Sequence, residues 1–212
     1  MNELFIVDLT ELQEYHIGSI WKRVALWPRE IQEKIQNTRR KDLKKGRLLA
    51  WYLIFYLVKD RMTDVKVTYS KAGKPHISFF HFNYSHSQSW LALAVSEREV
   101  GVDIETKRLK YDAYLEEKIR DMGFLWKTKA NRGSDLYITS LWSAYEAWVK
   151  KSSLKIWQKK AWDYSEVRQK IYHDKVLSYS CEKDLEVRRL YMMGGKDGFN
   201  LCTKTKDWIF RL

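Results

Sequence analysis

Apolar and polar residues alternate most regularly at residues 100–105, where the sequence reads Val-Gly-Val-Asp-Ile-Glu. In an extended strand successive side chains point to opposite faces, so the three branched apolar residues would share one face, and Gly101, Asp103 and Glu105 the other. The two carboxylates would lie about 6 to 7 Å apart along the backbone, within reach of one hard cation. Gly101 has no side chain and leaves space on the same face. A half-exposed strand without any ion would show the same alternation.

Other short runs of strand-forming residues predict that this segment belongs to a sheet-containing fold. The polar residues 96–99 connect the apolar run at residues 90–95 to residues 100–105, which predicts that these two strands pair with each other. The predicted strands are residues 4–7, 65–69, 76–79, 90–95, 100–105, 176–179, 185–193 and 199–203.

Helices are predicted from length and from periodicity. The apolar run at residues 48–58 is too short to span a bilayer and suits a buried helix, which the chain enters through a basic run at residues 39–47. Shorter helices are expected after Pro28 and at residues 111–124. Between residues 138 and 151, apolar side chains recur at i, i+3, i+4 and i+7 and predict a buried stripe. The stripe comprises Leu141, Ala144, Tyr145 and Trp148.

Two polar groups stand out beside these elements. Glu146 and Lys150 lie four residues apart on a face next to the stripe, where an ordinary ion pair is worth about 0.2 to 0.5 kcal/mol. A functional interpretation makes Glu146 a third metal-binding carboxylate, beside Asp103 and Glu105, and Lys150 a phosphate contact. Ser85, His86 and Ser87 precede the apolar run at residues 90–95 and are suited to contact a phosphate or substrate. A serine and His86 are poorly placed as a nucleophile and its base, because neighbours in a strand point to opposite faces.

Composition narrows the class of protein. The chain has 212 residues, of which 45% are hydrophobic, and is long enough to bury a substantial core. Its 39 basic and 27 acidic residues give a net charge of +12, which predicts attraction to nucleic acid, phosphorylated ligands, anionic membranes or acidic proteins. Cys181 and Cys202 are too few for a disulfide framework and lack metal-ligand spacing, so we expect a reducing compartment. Residues 1–3 lack the basic start of a signal peptide, and we expect a cytoplasmic protein.

Four motifs follow one another in a specific order. They are Gly-Lys-Pro at residues 73–75, Phe-Asn-Tyr-Ser-His-Ser at 82–87, Val-Gly-Val-Asp-Ile-Glu at 100–105 and Trp-Ser-Ala-Tyr-Glu-Ala-Trp-Val-Lys at 142–150. Each motif is weak by itself, but the ordered set resembles the 4′-phosphopantetheinyl transferases of the surfactin-synthetase-activating (Sfp-like) type. The basic segment before residue 48 fits this family more loosely.

The resemblance implies a reaction and a fold. The phosphopantetheine arm of coenzyme A would be transferred to a serine of an acyl or peptidyl carrier protein, with Mg²⁺ as cofactor and 3′,5′-ADP as the other product. The fold would be α+β, with two similar halves related by a pseudo-twofold axis, residues 1–100 and 101–212, and the active site in the cleft between them. Carrier proteins are typically acidic, so the positive charge would attract them. We expect a monomer without membrane or nucleic-acid partners.

Site residues follow from the same resemblance, position by position. Asp103, Glu105 and Glu146 would be the metal ligands. Asp103, Glu146 and Lys150 would be catalytic, with Lys150 on the pyrophosphate and Glu146 as the candidate base for the incoming serine hydroxyl. The remaining contacts to coenzyme A would be Lys74, Ser85, His86 and, from the looser match, Lys45 or Arg47, with Lys34 as a weaker candidate.

One position departs from the family pattern, Trp-Ser-x-Lys-Glu-Ala-x-x-Lys, because Tyr145 occupies the place of the first lysine. Tyr145 falls on the apolar stripe, so we expect the helix to fold, but any electrostatic role of that lysine would be lost. Two alternatives therefore stay open. One is a homologue that binds coenzyme A or a carrier without catalysis. The other is a basic nucleic-acid-binding module with interleaved aromatic residues, which leaves the three carboxylates unexplained.

Overall fold

The computed structural model describes residues 1–107, 112–124, 128, 130–157, 167–172, 174–195, 198–203 and 209–211. Helices and strands are mixed along the chain, which confirms the predicted α+β class. The helices are α1 Glu14–Val24, α2 Arg29–Gln36, α3 Lys41–Val58, α4 Ala113–Asp121 and α5 Tyr137–Lys151. The strands are β1 Glu3–Asp8, β2 Val67–Tyr69, β3 Pro75–Ile77, β4 His81–Ser87, β5 Trp90–Ser96, β6 Val100–Thr106, β7 Val167–Tyr172, β8 Lys175–Cys181, β9 Glu186–Gly195, β10 Gly198–Cys202 and β11 Ile209–Arg211.

The strands are arranged in the orders β11-β10-β9-β1-β5-β4, β2-β3 and β6-β8-β7. Strand β6 pairs antiparallel with β8, so that Asp103 lies opposite Ser178 and Glu105 opposite Val176. The predicted pairing between residues 90–95 and residues 100–105 is therefore wrong. Strand β5 is already flanked on both edges, by β1 and by β4, and has no edge left for β6.

Contacts divide the chain into two compact units. The first unit comprises Met1–Leu4, Lys66–Ser87 and Ala92–Glu186, and the second comprises Phe5–Val65, Gln88–Leu91 and Val187–Leu212. Each unit is assembled from separate segments of the chain. A division into pseudo-twofold halves at residue 100 stays a prediction. None of the helices in the described part of the chain is long and apolar enough to cross a membrane.

Helix α5 of the first unit packs against β6 and β8. The buried stripe predicted on this helix is confirmed, since its four residues are all at most 4% exposed. Gly101 allows the helix to approach β6 closely. A Cβ atom built on Gly101 would lie 2.0 Å from the carbonyl oxygen of Ala147 and 2.3 Å from the backbone nitrogen of Lys151. The space predicted beside Gly101 is therefore filled by the backbone of α5.

Tyr145 belongs to the core that α4 and α5 form together. Its side chain is fully buried, and its ring stacks on that of Trp157 with the centroids 5.7 Å apart. The Tyr145 hydroxyl accepts a hydrogen bond from the backbone N–H of Trp157 at 3.0 Å. The residue that departs from the family pattern thus packs as an aromatic core residue, and the helix folds as expected.

We predict that Tyr145→Phe lowers the free energy of unfolding by about 1 kcal/mol, because the Trp157 N–H loses its acceptor while the ring packing is kept. Tyr145→Lys should cost more, since it places an ammonium group among aromatic rings. Urea denaturation of the three proteins measures both changes. A lysine variant as stable as the parent protein would contradict the core position of this side chain.

Helix α3 of the second unit confirms the buried helix predicted at residues 48–58 and extends into the basic run. Helices α1 and α2 pack against it. Basic side chains of α3 bond backbone carbonyls of the segment before α1 and of α2. Lys45 donates to the carbonyl of Leu12, and Arg47 donates to the carbonyl of Lys34 at 2.9 Å. These two basic residues therefore support the packing of their own unit.

Candidate active site

Asp103 is the most buried charged group on the polar face of β6, at 1% exposure. Its Oδ1 atom accepts hydrogen bonds from Ser85 Oγ at 2.8 Å and from Lys150 Nζ at 2.6 Å. Its Oδ2 atom is buried and has no hydrogen-bond donor among the described residues. A buried carboxylate oxygen without a donor is energetically costly. This oxygen is therefore well suited to bind a cation.

Lys150 joins the two acids that the sequence places on different elements. Its Nζ atom lies 2.6 Å from Oδ1 of Asp103 on β6 and 2.8 Å from Oε2 of Glu146 one turn earlier on α5. Burial alone would lower the pKa of Lys150, but the two carboxylates outweigh it and the pKa is raised. Lys150 therefore stays a cation that is held between the two acids.

The pKa of Glu146 is raised above that of an ordinary carboxyl group. Burial is the main cause, the positive charge of Lys150 opposes it, and the neighbouring carboxylate of Asp103 adds to it. Two acids this close together repel each other unless a proton or a cation lies between them. Lys150 offsets part of this repulsion, and a divalent cation beside Asp103 would offset more of it.

Glu105 is oriented by two side chains from neighbouring elements. Its Oε1 atom accepts from Nε1 of Trp142 on α5 at 3.3 Å, and its Oε2 atom accepts from Oγ of Ser87 on β4 at 3.2 Å. Glu105 follows Asp103 by two positions on β6, so the strand presents both carboxylates on one face, as predicted.

The fit of a hard cation to these acids rests on charge and chemistry. Asp103 and Glu146 contact the ammonium group of Lys150, and all three candidate carboxylates offer oxygen atoms, which Mg²⁺ prefers. Within the described ranges, the donor atoms of Asp103, Glu105 and Glu146 do not all lie within 4.8 Å of one another. Mg²⁺ usually needs only one or two carboxylates, with water and phosphate oxygens completing the octahedron. Asp103 with one of its partners therefore suffices for such a site.

Strand β4 lies along the edge of β6 that β8 leaves open, and its side chains take the place of a paired strand. Asn83 Oδ1 accepts from the backbone N–H of Val102 at 3.0 Å, and Ser87 Oγ accepts from that of Thr106 at 3.1 Å. Ser85 between them reaches the carboxylate of Asp103. The polar residues at positions 83, 85 and 87 thus fix β6 in place. The sequence predicted a phosphate or substrate contact for Ser87 rather than this role at the edge of β6. The roles of Asn83 and Trp142 were not predicted, although the alternation Asn-x-Ser-x-Ser was a visible signal.

The other predicted contacts of the first unit are placed differently. Hydrogen bonds and ion pairs join Asp103 to Ser85, Lys150 and Glu146, and we call these four residues the Asp103 cluster. His86 lies on the opposite face of β4 from Ser85, because neighbouring strand residues alternate. Lys74 is 8% exposed and donates to Oε2 of Glu99 at 2.8 Å and to the carbonyl oxygens of Val100 and Lys151. Three acceptors match the three donors of its ammonium group. In this structure Lys74 therefore anchors the start of β6 to the end of α5.

One predicted basic contact of the second unit, Lys45, borders a cleft of about 680 Å³. Lys45 lines it together with Lys41 and Lys44. Apolar side chains such as Trp21 form another part of its wall. The weaker candidate Lys34 forms an ion pair with Glu30 at 2.9 Å, one turn earlier on α2. Of the four predicted basic residues 34, 45, 47 and 74, Lys45 is the one that borders this cleft.

No protein-family model matches the chain. The chain is 32% identical over 107 residues to the 4′-phosphopantetheinyl transferase gsp of Aneurinibacillus migulanus. The matched residues make up 50% of this chain and 45% of the relative. Over that half of its length, the chain is similar to a 4′-phosphopantetheinyl transferase. A second such transferase, psf-1 of Bacillus pumilus, is 32% identical over 111 residues, 50% of this chain and 47% of the relative.

These two relatives confirm the family resemblance that the four motifs indicate. Each match covers about half the length of the curated relative. The similarity to phosphopantetheinyl transferases gives a chemical context in which the carboxylates around Asp103 can be interpreted.

Proposed function

We propose that the protein transfers the 4′-phosphopantetheine group of coenzyme A to a serine hydroxyl of an apo carrier protein, with Mg²⁺ as cofactor. The observation that carries this proposal is the buried Asp103 carboxylate, bonded to Lys150 through one oxygen and without a donor on the other. In a relative of the phosphopantetheinyl transferases, that arrangement supports a phosphate-binding metal centre.

The reaction breaks the bond between the phosphorus of the phosphopantetheine phosphate and the oxygen that bridges to 3′,5′-ADP. The serine oxygen forms a new bond to the same phosphorus, and the leaving 3′,5′-ADP takes up the negative charge. Asp103 would hold Mg²⁺ together with Glu105 or Glu146, and the bound ion would supply charge neutralisation at the phosphate oxygens. Lys150 adds a fixed positive charge, because the two acids beside it keep it protonated and hold it in place.

The serine proton needs an acceptor, and Glu146 is our candidate. Its raised pKa matches the requirement that a general base be stronger than an ordinary carboxylate. Its side chain is 15% exposed, which leaves a path for an incoming hydroxyl group. Ser85 and Lys74, together with His86, remain proposed contacts to coenzyme A. The basic lining of the second unit's cleft supports a phosphate contact for Lys45, and Arg47 stays a proposed alternative.

We expect Glu146→Gln to reduce transfer by at least about a hundredfold, because the amide cannot accept the serine proton. Glu117→Gln, which changes an exposed acid on α4, serves as the control and should keep the parent rate. The measurement is the initial rate of carrier modification at saturating coenzyme A. Near-normal turnover of Glu146→Gln, with metal binding intact, would rule out the base assignment.

The carrier partner is proposed from charge. A net charge of +12 favours acidic proteins, and the same charge would also favour nucleic acid. Thermal melting with coenzyme A and Mg²⁺, and separately with oligonucleotides, distinguishes a transferase from a nucleic-acid-binding protein. We expect coenzyme A with Mg²⁺ to raise the melting temperature, and random oligonucleotides to give only a small, salt-sensitive effect. The reverse pattern would favour a nucleic-acid-binding module.

A further inference from the structure

A second group of metal-binding side chains lies outside the Asp103 cluster. It consists of His76 on β3, His81 at the start of β4 and Glu99 immediately before β6, and we call it the histidine cluster. One donor atom from each residue lies within 4.8 Å of the other two. His81 Nδ1 and Glu99 Oε1 are 3.2 Å apart, and the two imidazole rings are perpendicular, with centroids 6.4 Å apart. Three separate segments of the first unit thus bring their donors to one point.

Glu99 is held in position by a group that is itself buried. Its Oε2 atom accepts from Lys74 Nζ at 2.8 Å, while its Oε1 atom faces His81. Lys74 is anchored in turn by the carbonyl oxygen of Val100 at 2.9 Å. A hydrogen bond to the outer oxygen of a carboxylate is the usual way in which proteins orient a metal ligand. Because Lys74 binds Oε2 of Glu99, the other oxygen, Oε1, is directed at the histidines.

We propose that His76, His81 and Glu99 bind one divalent transition-metal ion of the Zn²⁺ type. Two imidazoles and one carboxylate are a ligand set that zinc uses in proteins, whereas Mg²⁺ prefers oxygen ligands. Ligands about 2.0 to 2.1 Å from a tetrahedral zinc ion are about 3.3 Å from one another. The separation of 3.2 Å between His81 and Glu99 meets this requirement. A fourth position stays available for water or another ligand.

Zinc at this point would tie β3 and β4 to the beginning of β6. These segments are otherwise joined here by Lys74 and by the pair of His81 with Glu99. A ligand that binds the folded state stabilises it, so the ion would raise the melting temperature of the first unit. This inference does not rest on the proposed transfer reaction, because none of the three residues has a part in it.

The test is a calorimetric titration of the untagged, metal-free protein with Zn²⁺ in the presence of excess Mg²⁺. We expect one zinc ion per chain, and at least tenfold weaker binding in His76→Asn and in His81→Asn. Co²⁺ should give visible absorption bands of four- or five-coordinate cobalt, and His81→Asn should lose them. Since His81 is 37% exposed, its replacement leaves the core intact, which a melting curve checks.

Two control variants complete the design. Glu97→Gln removes an exposed acid two residues before Glu99, and Asp103→Asn removes the buried acid of the other cluster; both should keep the parent affinity for zinc. Zinc binding that is unchanged in both histidine variants would overturn the proposal. Loss of zinc binding in Asp103→Asn with retention in His81→Asn would also overturn it, since the ion would then belong to the Asp103 cluster.

Discussion

Asp103→Asn is expected to reduce phosphopantetheine transfer at least about a hundredfold while the protein stays folded. Asparagine has nearly the same shape as aspartate and can still accept from Ser85 and Lys150. It lacks the negative charge that would hold Mg²⁺ and that balances Lys150. The buried Oδ2 position then becomes a poor cation ligand, or an amide donor that repels a cation. The initial rate with coenzyme A, Mg²⁺ and an apo carrier measures the effect.

A matched control for this variant is Asp60→Asn, which changes an exposed aspartate after α3 and should keep the full rate. Circular dichroism and melting temperature establish that Asp103→Asn is folded. If that variant modifies the carrier within threefold of the parent rate, Asp103 is not a metal ligand, and the proposed centre at β6 is wrong.

Gly101→Ala is expected to be the most destabilising single-methyl change in the first unit, at about 1 to 3 kcal/mol or more. The new Cβ would meet two backbone atoms of α5, a carbonyl oxygen at 2.0 Å and an amide nitrogen at 2.3 Å. Backbone atoms cannot rotate away as a side chain does, so the helix must move off the strand. Glu146 and Lys150 would move with it, and transfer activity should fall together with stability.

Gly18→Ala gives the matched comparison. Gly18 lies exposed on α1, and a Cβ there meets nothing within 4 Å. Alanine has the higher helix propensity, so this variant should be more stable by up to about 1 kcal/mol. Urea denaturation of both variants measures the difference. A Gly101→Ala protein with parental stability and activity would mean that α5 is not packed against β6 as the structure shows.

Local patterns were enough to predict several elements of this protein. The stripe on α5 could be predicted because Leu141, Ala144, Tyr145 and Trp148 repeat at the helical period and are all buried. The polar face of β6 could be predicted because Asp103 and Glu105 alternate with branched apolar residues. Both patterns depend only on residues within one element, and both describe which side of that element meets the core.

The partners of these elements could not be predicted in the same way. Strand β6 pairs with β8, whose residues lie some seventy positions further along the chain, rather than with the adjacent β5. The sequence motif pointed to Ser85, but it gave no reason for Asn83 and Ser87 to replace a paired strand at the edge of β6. Burial of Lys74 against Glu99 likewise depends on three segments that meet only in the fold.

The four ordered motifs contain the residues that form the centre of the candidate site. Ser85, Asp103, Glu146 and Lys150 come from β4, β6 and α5, and hydrogen bonds and ion pairs connect them all. The expectation that the cation is Mg²⁺ came from the family resemblance. The histidine cluster was not predicted, because His76, His81 and Glu99 have no regular spacing and belong to none of the roles that the family implies.

The most direct measurement is the intact mass of a panel of apo acyl and peptidyl carrier proteins after incubation with this protein, coenzyme A and Mg²⁺. We predict the gain of one phosphopantetheine group on at least one carrier, dependent on Mg²⁺ and absent when the acceptor serine is replaced by alanine. An unchanged mass for every carrier, with folded protein that binds coenzyme A, would contradict the transferase assignment and leave a protein that binds coenzyme A without catalysis.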